Sequence, residues 1–164
     1  YAEYVIGCLN QPETYLKAAT WNETPFRSDY YPYTGKKILG TDSKITKAGT
    51  WSTVDGTGTI SSTNPSDTLT CTFDGPFVGI MHRIGSAYGR AEIYIDDVLQ
   101  GVIRNGVSNN YVDCYYNVTS QPVMYYKNMN LADTTHTLKI KIINEKNSSS
   151  TGTKFTLDYL YVKK

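Results

Sequence analysis

The chain has 164 residues and a net charge of +1, with its 16 basic and 15 acidic residues interspersed, and tyrosine dominates the aromatics at 15 against four phenylalanines. That length suits one domain, which buries roughly 70% of its unfolded surface and needs neither disulfides nor metal for stability. Scattered charge gives no basic footprint for nucleic acid or an anionic membrane, and no apolar run approaches the roughly 18 residues of a membrane helix, so neither nucleic acid nor membrane insertion is expected.

Residues 1–44 read differently from the remainder. A short apolar strand candidate covers residues 1–9, a weak helical pattern covers 13–19, and two prolines, Pro25 and Pro32, sit among polar and aromatic residues in an irregular stretch at 25–35. Disordered linkers are poor in aromatics, so this region is expected to pack on something, as a connector or the end of a preceding domain. With no initiator methionine and no charged-then-apolar leader, the chain reads as a piece of a longer protein.

From Ile45 onward turn signals recur at strand spacing: Asp55-Gly56, Asn64-Pro65, Asp74-Gly75-Pro76, the glycines Gly85 and Gly89, Asp96-Asp97, Asn105-Gly106 and the polar run at 144–152. About eight to ten short strands fit between them. A weak helical hint at 130–133 carries no apolar stripe. Leu138, Ile140 and Ile142 alternate with Thr137, Lys139 and Lys141, which puts one face in a core and the other in water. In the last strand Phe155, Leu157, Tyr159 and Tyr161 are expected on one face. Cys71 alternates with Leu69 and Phe73 and reads as a buried apolar residue; the three cysteines, Cys8, Cys71 and Cys114, cannot all pair and lack metal-site spacing. The pattern predicts an all-β fold, an antiparallel β-sandwich of jelly-roll type, with the module over residues 45–164.

Catalysis is poorly provided for. His136 starts a strand after a turn, His82 ends one beside Arg83 with no nucleophile motif, and the adjacent Asp96 and Asp97 diverge as turn residues. No cofactor is expected. A structural calcium is weighed through loop oxygens, with Asp96, Asp113, Glu3 and Asp158 as its candidate ligands, although no D-x-D-x-D-G loop is present.

Binding is better supported. A pyranose stacks its C–H face on an aromatic ring while its hydroxyls bond to polar side chains at fixed positions. The loop at 82–90 supplies His82, Arg83, Tyr88 and Arg90 between glycines, and a second cluster at 109–117 supplies Asp113 and Tyr116. These six are the candidate ligand-binding residues. Trp51 is expected in the core.

Several stretches also carry a resemblance: Gly49-Thr50-Trp51-Ser52, then residues 69–80 from Leu69-Thr70-Cys71 to Val78-Gly79-Ile80, then Gly89-Arg90-Ala91-Glu92-Ile93-Tyr94-Ile95-Asp96-Asp97, then 131–140 and 155–162. In order and spacing they resemble the galactose-binding-domain-like β-sandwich modules over residues 45–164, with Asp97 standing where that pattern usually has glycine. Such modules are appended to glycoside hydrolases, SGNH-type esterases and phage tail proteins. The resemblance implies a non-catalytic carbohydrate-binding module whose partner is a glycan or polysaccharide, placed extracellularly, at a cell surface or on a virion. Its alternative is a structural or oligomerising distal domain of a phage tail spike, with a homotrimer as the form to expect. No ligand residue transfers by motif.

Overall fold

The structure is a computed structural model in which residues 35–104 and 107–163 are described, the Arg104 side chain excepted. The strand, helix and irregular-segment candidates before residue 35, together with Glu3, Cys8 and the Asn105-Gly106 turn, lie outside the described residues. Among the described residues there are fourteen strands and no helix.

The strands form two sheets and a small hairpin. The first sheet runs β12 (Gln121–Asn128), β6 (Phe77–Ile84), β14 (Phe155–Lys163), β4 (Ile60–Ser62) and β3 (Ser52–Thr53), and β1 (Lys36–Leu39) pairs the distal half of β14. The second runs β11 (Val112–Asp113), β7 (Arg90–Ile95), β13 (Thr135–Ile143), β5 (Thr68–Asp74) and β2 (Ile45–Ala48), with β8 (Val98–Leu99) beside β7. The hairpin is β9 (Val102–Arg104) with β10 (Val107–Asn109). Pairing between these strands is antiparallel throughout. The expected all-β sandwich of jelly-roll type is therefore the fold.

Alternation builds the interior. Leu69, Cys71 and Phe73 on β5, Ala91, Ile93 and Ile95 on β7, and Leu138, Ile140 and Ile142 on β13 all point inward, as the period of two requires. Opposite them lie Val78, Ile80 and Ile84 of β6 and four residues of β14. Cys71 is buried as expected, and desolvation pushes its thiol pKa up to about 11. Trp51 packs only partly buried against the core and donates its indole N–H to the Ala48 carbonyl at 3.2 Å.

The last strand departs from simple alternation. Its register against β6 slips between Leu157 and Tyr159, a β-bulge at Asp158. One extra residue exchanges the two faces, so the core takes Phe155 and Leu157 and then Leu160 and Val162. Tyr159 and Tyr161, expected beside Phe155 and Leu157, stand on the other face. The bulge also aims Asp158 at Arg83, whose Nε donates to its carboxylate at 2.7 Å.

Turns match the punctuation of the sequence. Asp96 and Asp97 hold φ of 50° and 62°, the paired left-handed conformation of a two-residue hairpin turn. Gly75, with φ of 104°, closes the turn from β5 to β6. Residues 129–134 form an irregular connection instead of the helical turn hinted at, and the Leu131 side chain packs on the core.

Candidate functional site

Three connections meet at one end of the sandwich: 85–89 between β6 and β7, 114–120 between β11 and β12, and 144–154 between β13 and β14. The 85–89 loop is the middle member. On one side Gly85 N–H donates to the Cys114 carbonyl at 3.1 Å and Cys114 N–H to the Gly89 carbonyl at 2.9 Å. On the other, Gly89 N–H donates to the Lys154 carbonyl at 3.0 Å and Thr151 N–H to the Ser86 carbonyl at 3.0 Å. The Ser150 hydroxyl donates to the Tyr88 carbonyl at 2.7 Å. These main-chain bonds satisfy backbone groups across the loops and tie the three connections to one another. Gly89 permits the approach, because a Cβ there would lie 2.7 Å from the Thr153 Cα.

The six candidate residues separate into three settings. His82 and Tyr88, expected at a loop surface, are in the interior. His82 belongs to the same inward row as Val78, Ile80 and Ile84; it is fully buried, stacked on Phe155 at 5.9 Å between ring centroids and edge-on to Tyr125 at 5.4 Å. Its Nδ1 lies 3.6 Å from the buried Cys114 Sγ. Tyr88 is 4% exposed, and its hydroxyl is 2.7 Å from Ser120 Oγ. A phenol can be buried in this way because its one polar atom has a partner.

Arg83 points outward from β6 into an ion-pair network. Its Nε meets Asp158 at 2.7 Å and its Nη2 meets Asp55 at 3.2 Å. Burial works against the charge, but the Asp158 and Asp55 carboxylates outweigh it and hold the guanidinium pKa above its ordinary value. Asp55, bonded first of all by the Thr57 hydroxyl, has its pKa lowered to about 2. This network ties the loop between β3 and β4 to the sheet and occupies Arg83.

Arg90, Asp113 and Tyr116 remain at the rim. Arg90 and Asp113 are directly opposite each other across β7 and β11, and Arg90 Nε donates to Asp113 Oδ2 at 3.3 Å. Arg90 Nη1 reaches Glu145 Oε2 at 3.4 Å, and the guanidinium carbon lies 4.3 Å from the Tyr111 ring centroid, within cation–π range. Asp113 Oδ1 accepts the Tyr115 N–H at 3.0 Å, which fixes the carboxylate. Tyr116 is 50% exposed, and its N–H is bonded to the Gly85 carbonyl at 3.2 Å. The rim thus presents a guanidinium between two carboxylates, bordered by tyrosines and resting on locked loops.

The same outward face of the second sheet continues along β7. Tyr94 donates its hydroxyl to Glu92 at 2.6 Å, a bond that pushes the phenol pKa up, and Lys139 Nζ lies 4.6 Å above the Tyr94 ring. Lys141 pairs with Glu92 at 3.5 Å. Glu145 was not among the sequence candidates; only the register that sets Ile143 opposite Arg90 brings it there. Tyr111 falls within the 109–117 cluster but outside the six candidates.

His136 is 7% exposed and clamped, with Nδ1 2.7 Å from Asp96 Oδ2 and Nε2 2.8 Å from the Ala132 carbonyl. Of the calcium candidates, Asp96 is paired with His136, Asp113 with Arg90 and Asp158 with Arg83. Among the described residues no group of three or more His, Cys, Asp or Glu side chains converges to hold a metal ion.

No protein-family model matches the chain, and no curated protein matches it. Solved structures do share its fold. A family two carbohydrate esterase from Cellvibrio japonicus superposes with a TM-score of 0.55 at 15% identity over 79% of this chain. A two-domain esterase active on acetylated mannans gives 0.58 at 12% identity over 80%. The chain spans 33% and 37% of those two proteins, about a third of each. The CBM36-1 domain of a multidomain xylanase, from the hindgut metagenome of Trinervitermes trinervoides, gives 0.52 at 13% identity; there 80% of this chain covers 98% of the domain. The fold is that of a carbohydrate-binding-module-like β-sandwich.

Proposed function

We propose that this chain is a non-catalytic carbohydrate-binding module, one part of a larger extracellular, cell-surface or virion protein, and that it holds poly- or oligosaccharide at the rim formed by Arg90, Tyr111, Asp113, Tyr116 and Glu145. The observation that carries this reading is the rim itself: fixed donors and acceptors beside the half-exposed Tyr116 and the partly buried Tyr111, on loops locked to each other by main-chain bonds. Stacking plus a few preset polar groups is what recognition of a pyranose requires. Tyr94 and Glu92 extend the same face and offer a track for a longer chain. The shared fold supports the class, since a structure matched over nearly its whole length is itself a xylanase's CBM36-1 domain.

A binding role also fits the imidazoles. His82 is sealed between the sheets, and both ring nitrogens of His136 face acceptors, so neither is placed to act as a base on a bound substrate.

Affinity electrophoresis through gels containing xylan, acetylated mannan or cellulose derivatives tests the proposal. The chain should be retarded by at least one polysaccharide, and Tyr116→Ala together with Tyr111→Ala should abolish the retardation while leaving thermal unfolding nearly unchanged. Retardation that survives both substitutions overturns the site. A stable trimer with no retardation in any gel overturns the module and favours a structural head.

A further inference from the structure

A cavity of about 420 Å³ opens at the end of the sandwich opposite the rim, lined by Lys36, Ile38, Lys44, Phe73, Asp74 and Val162. It exists because the strand coverage is unequal. β13 accompanies β5 as far as Asp74, whereas β2 starts at Ile45, opposite Cys71, so that among the described residues the last three of β5 have no strand on that side. The two sheets therefore stand open between β1 and the end of β5.

Its lining divides by chemistry. Ile38, Phe73 and Val162 are core residues and form an apolar floor. Lys36 lies two residues before Ile38 on β1 and directly opposite Val162, so it occupies a core-facing register with a cationic side chain. Lys44 immediately precedes the buried Ile45. Neither ammonium has a carboxylate partner among the described residues, in contrast with Arg83, Arg90, Lys139 and Lys141. The Asp74 carboxylate also lines the cavity and keeps its negative charge while bonded by the Thr135 hydroxyl at 2.7 Å, so the two ammoniums outnumber it. An apolar floor under two cations that have no carboxylate partner among the described residues matches an anionic head on an apolar body, and the volume is that of an ordinary small-molecule site.

We propose that this cavity is a second ligand site, independent of the glycan rim, that takes a small organic carboxylate with its apolar body against Ile38, Phe73 and Val162 and its carboxylate between Lys36 and Lys44. The test is an amide-resonance titration of the full chain with benzoate, with benzamide and acetate as the neutral and the bodiless controls. Benzoate should shift resonances of residues 36–38, 44–45, 72–74 and 162, and both controls should bind about tenfold more weakly or worse. Lys36→Gln with Lys44→Gln should weaken benzoate by a similar factor at an unchanged thermal midpoint, since both side chains are exposed. Equal binding of benzamide, equal binding of acetate, shifts confined to the opposite end, or full affinity in the double variant would each overturn the site.

Discussion

His82 and Arg90 lie on either side of the same five-residue loop, one two residues before the end of β6 and the other at the start of β7, yet one is sealed between the sheets and the other stands at the rim. Residue chemistry does not separate them, since both side chains are polar and bear nitrogen donors. Strand parity does: His82 falls in the inward row of Val78 and Ile80, and Arg90 in the outward row of Glu92 and Tyr94. Nearness to a loop therefore says little about access to solvent, and a binding surface on this fold is read from the row a residue occupies.

Three substitutions sharpen that contrast. The largest effect belongs to the inner row. Phe155→Ala removes the ring on which His82 stacks and should cost about 3–5 kcal/mol, read as a lower denaturation midpoint at unchanged slope. A loss well under 1 kcal/mol would mean that the His82 layer is not packed as described. Gly89→Ala tests the seam between the two settings, because the new methyl meets the backbone of Thr153, which cannot swing aside. It should cost about 1–3 kcal/mol and weaken polysaccharide retention as well, since Arg90 is the next residue.

Arg83→Met comes third. It discards an outward guanidinium that is committed to Asp55 and Asp158 and should cost about 1 kcal/mol, because the pairs are partly exposed and solvent screens them. Polysaccharide retention should not change. A selective loss of binding would move the site from the second sheet to the first.

The same parity explains what the sequence disclosed. The sandwich was legible because turn residues punctuate nearly every strand and because β13 alternates without interruption. The exchange of faces in β14 was not, since a bulge leaves no mark in the hydrophobic pattern and is fixed only by pairing with β6. At the proposed site, the sequence marks Arg90, Asp113 and Tyr116 as polar and aromatic types near turns, and it marks His82 and Tyr88 in the same way. What separates the two groups is register. Glu145 joins Arg90 through the pairing of β7 with β13, a contact 55 residues apart in sequence that no local signal records.

The smallest effect expected concerns the other imidazole. His136 differs from His82 in being held by charge, with Asp96 on one ring nitrogen and the Ala132 carbonyl on the other. Two acceptors favour the doubly protonated ring, so the His136 pKa is raised above its ordinary 6.5, through Asp96 first and Ala132 second. A raised cationic pKa contributes stability that is complete below 6.5 and fades as pH climbs through the folded value. Asp96 is shifted the opposite way, below 3.8, first by His136 and then by the Thr137 N–H, so its contribution is complete above 3.8 and fades on acidification. Thermal midpoints should accordingly form a plateau between those limits and decline gently on the alkaline side, and His136→Gln should flatten that decline. An alkaline slope that persists in the variant would assign it to another group and leave the clamp at the Asp96 turn without a measurable share in stability.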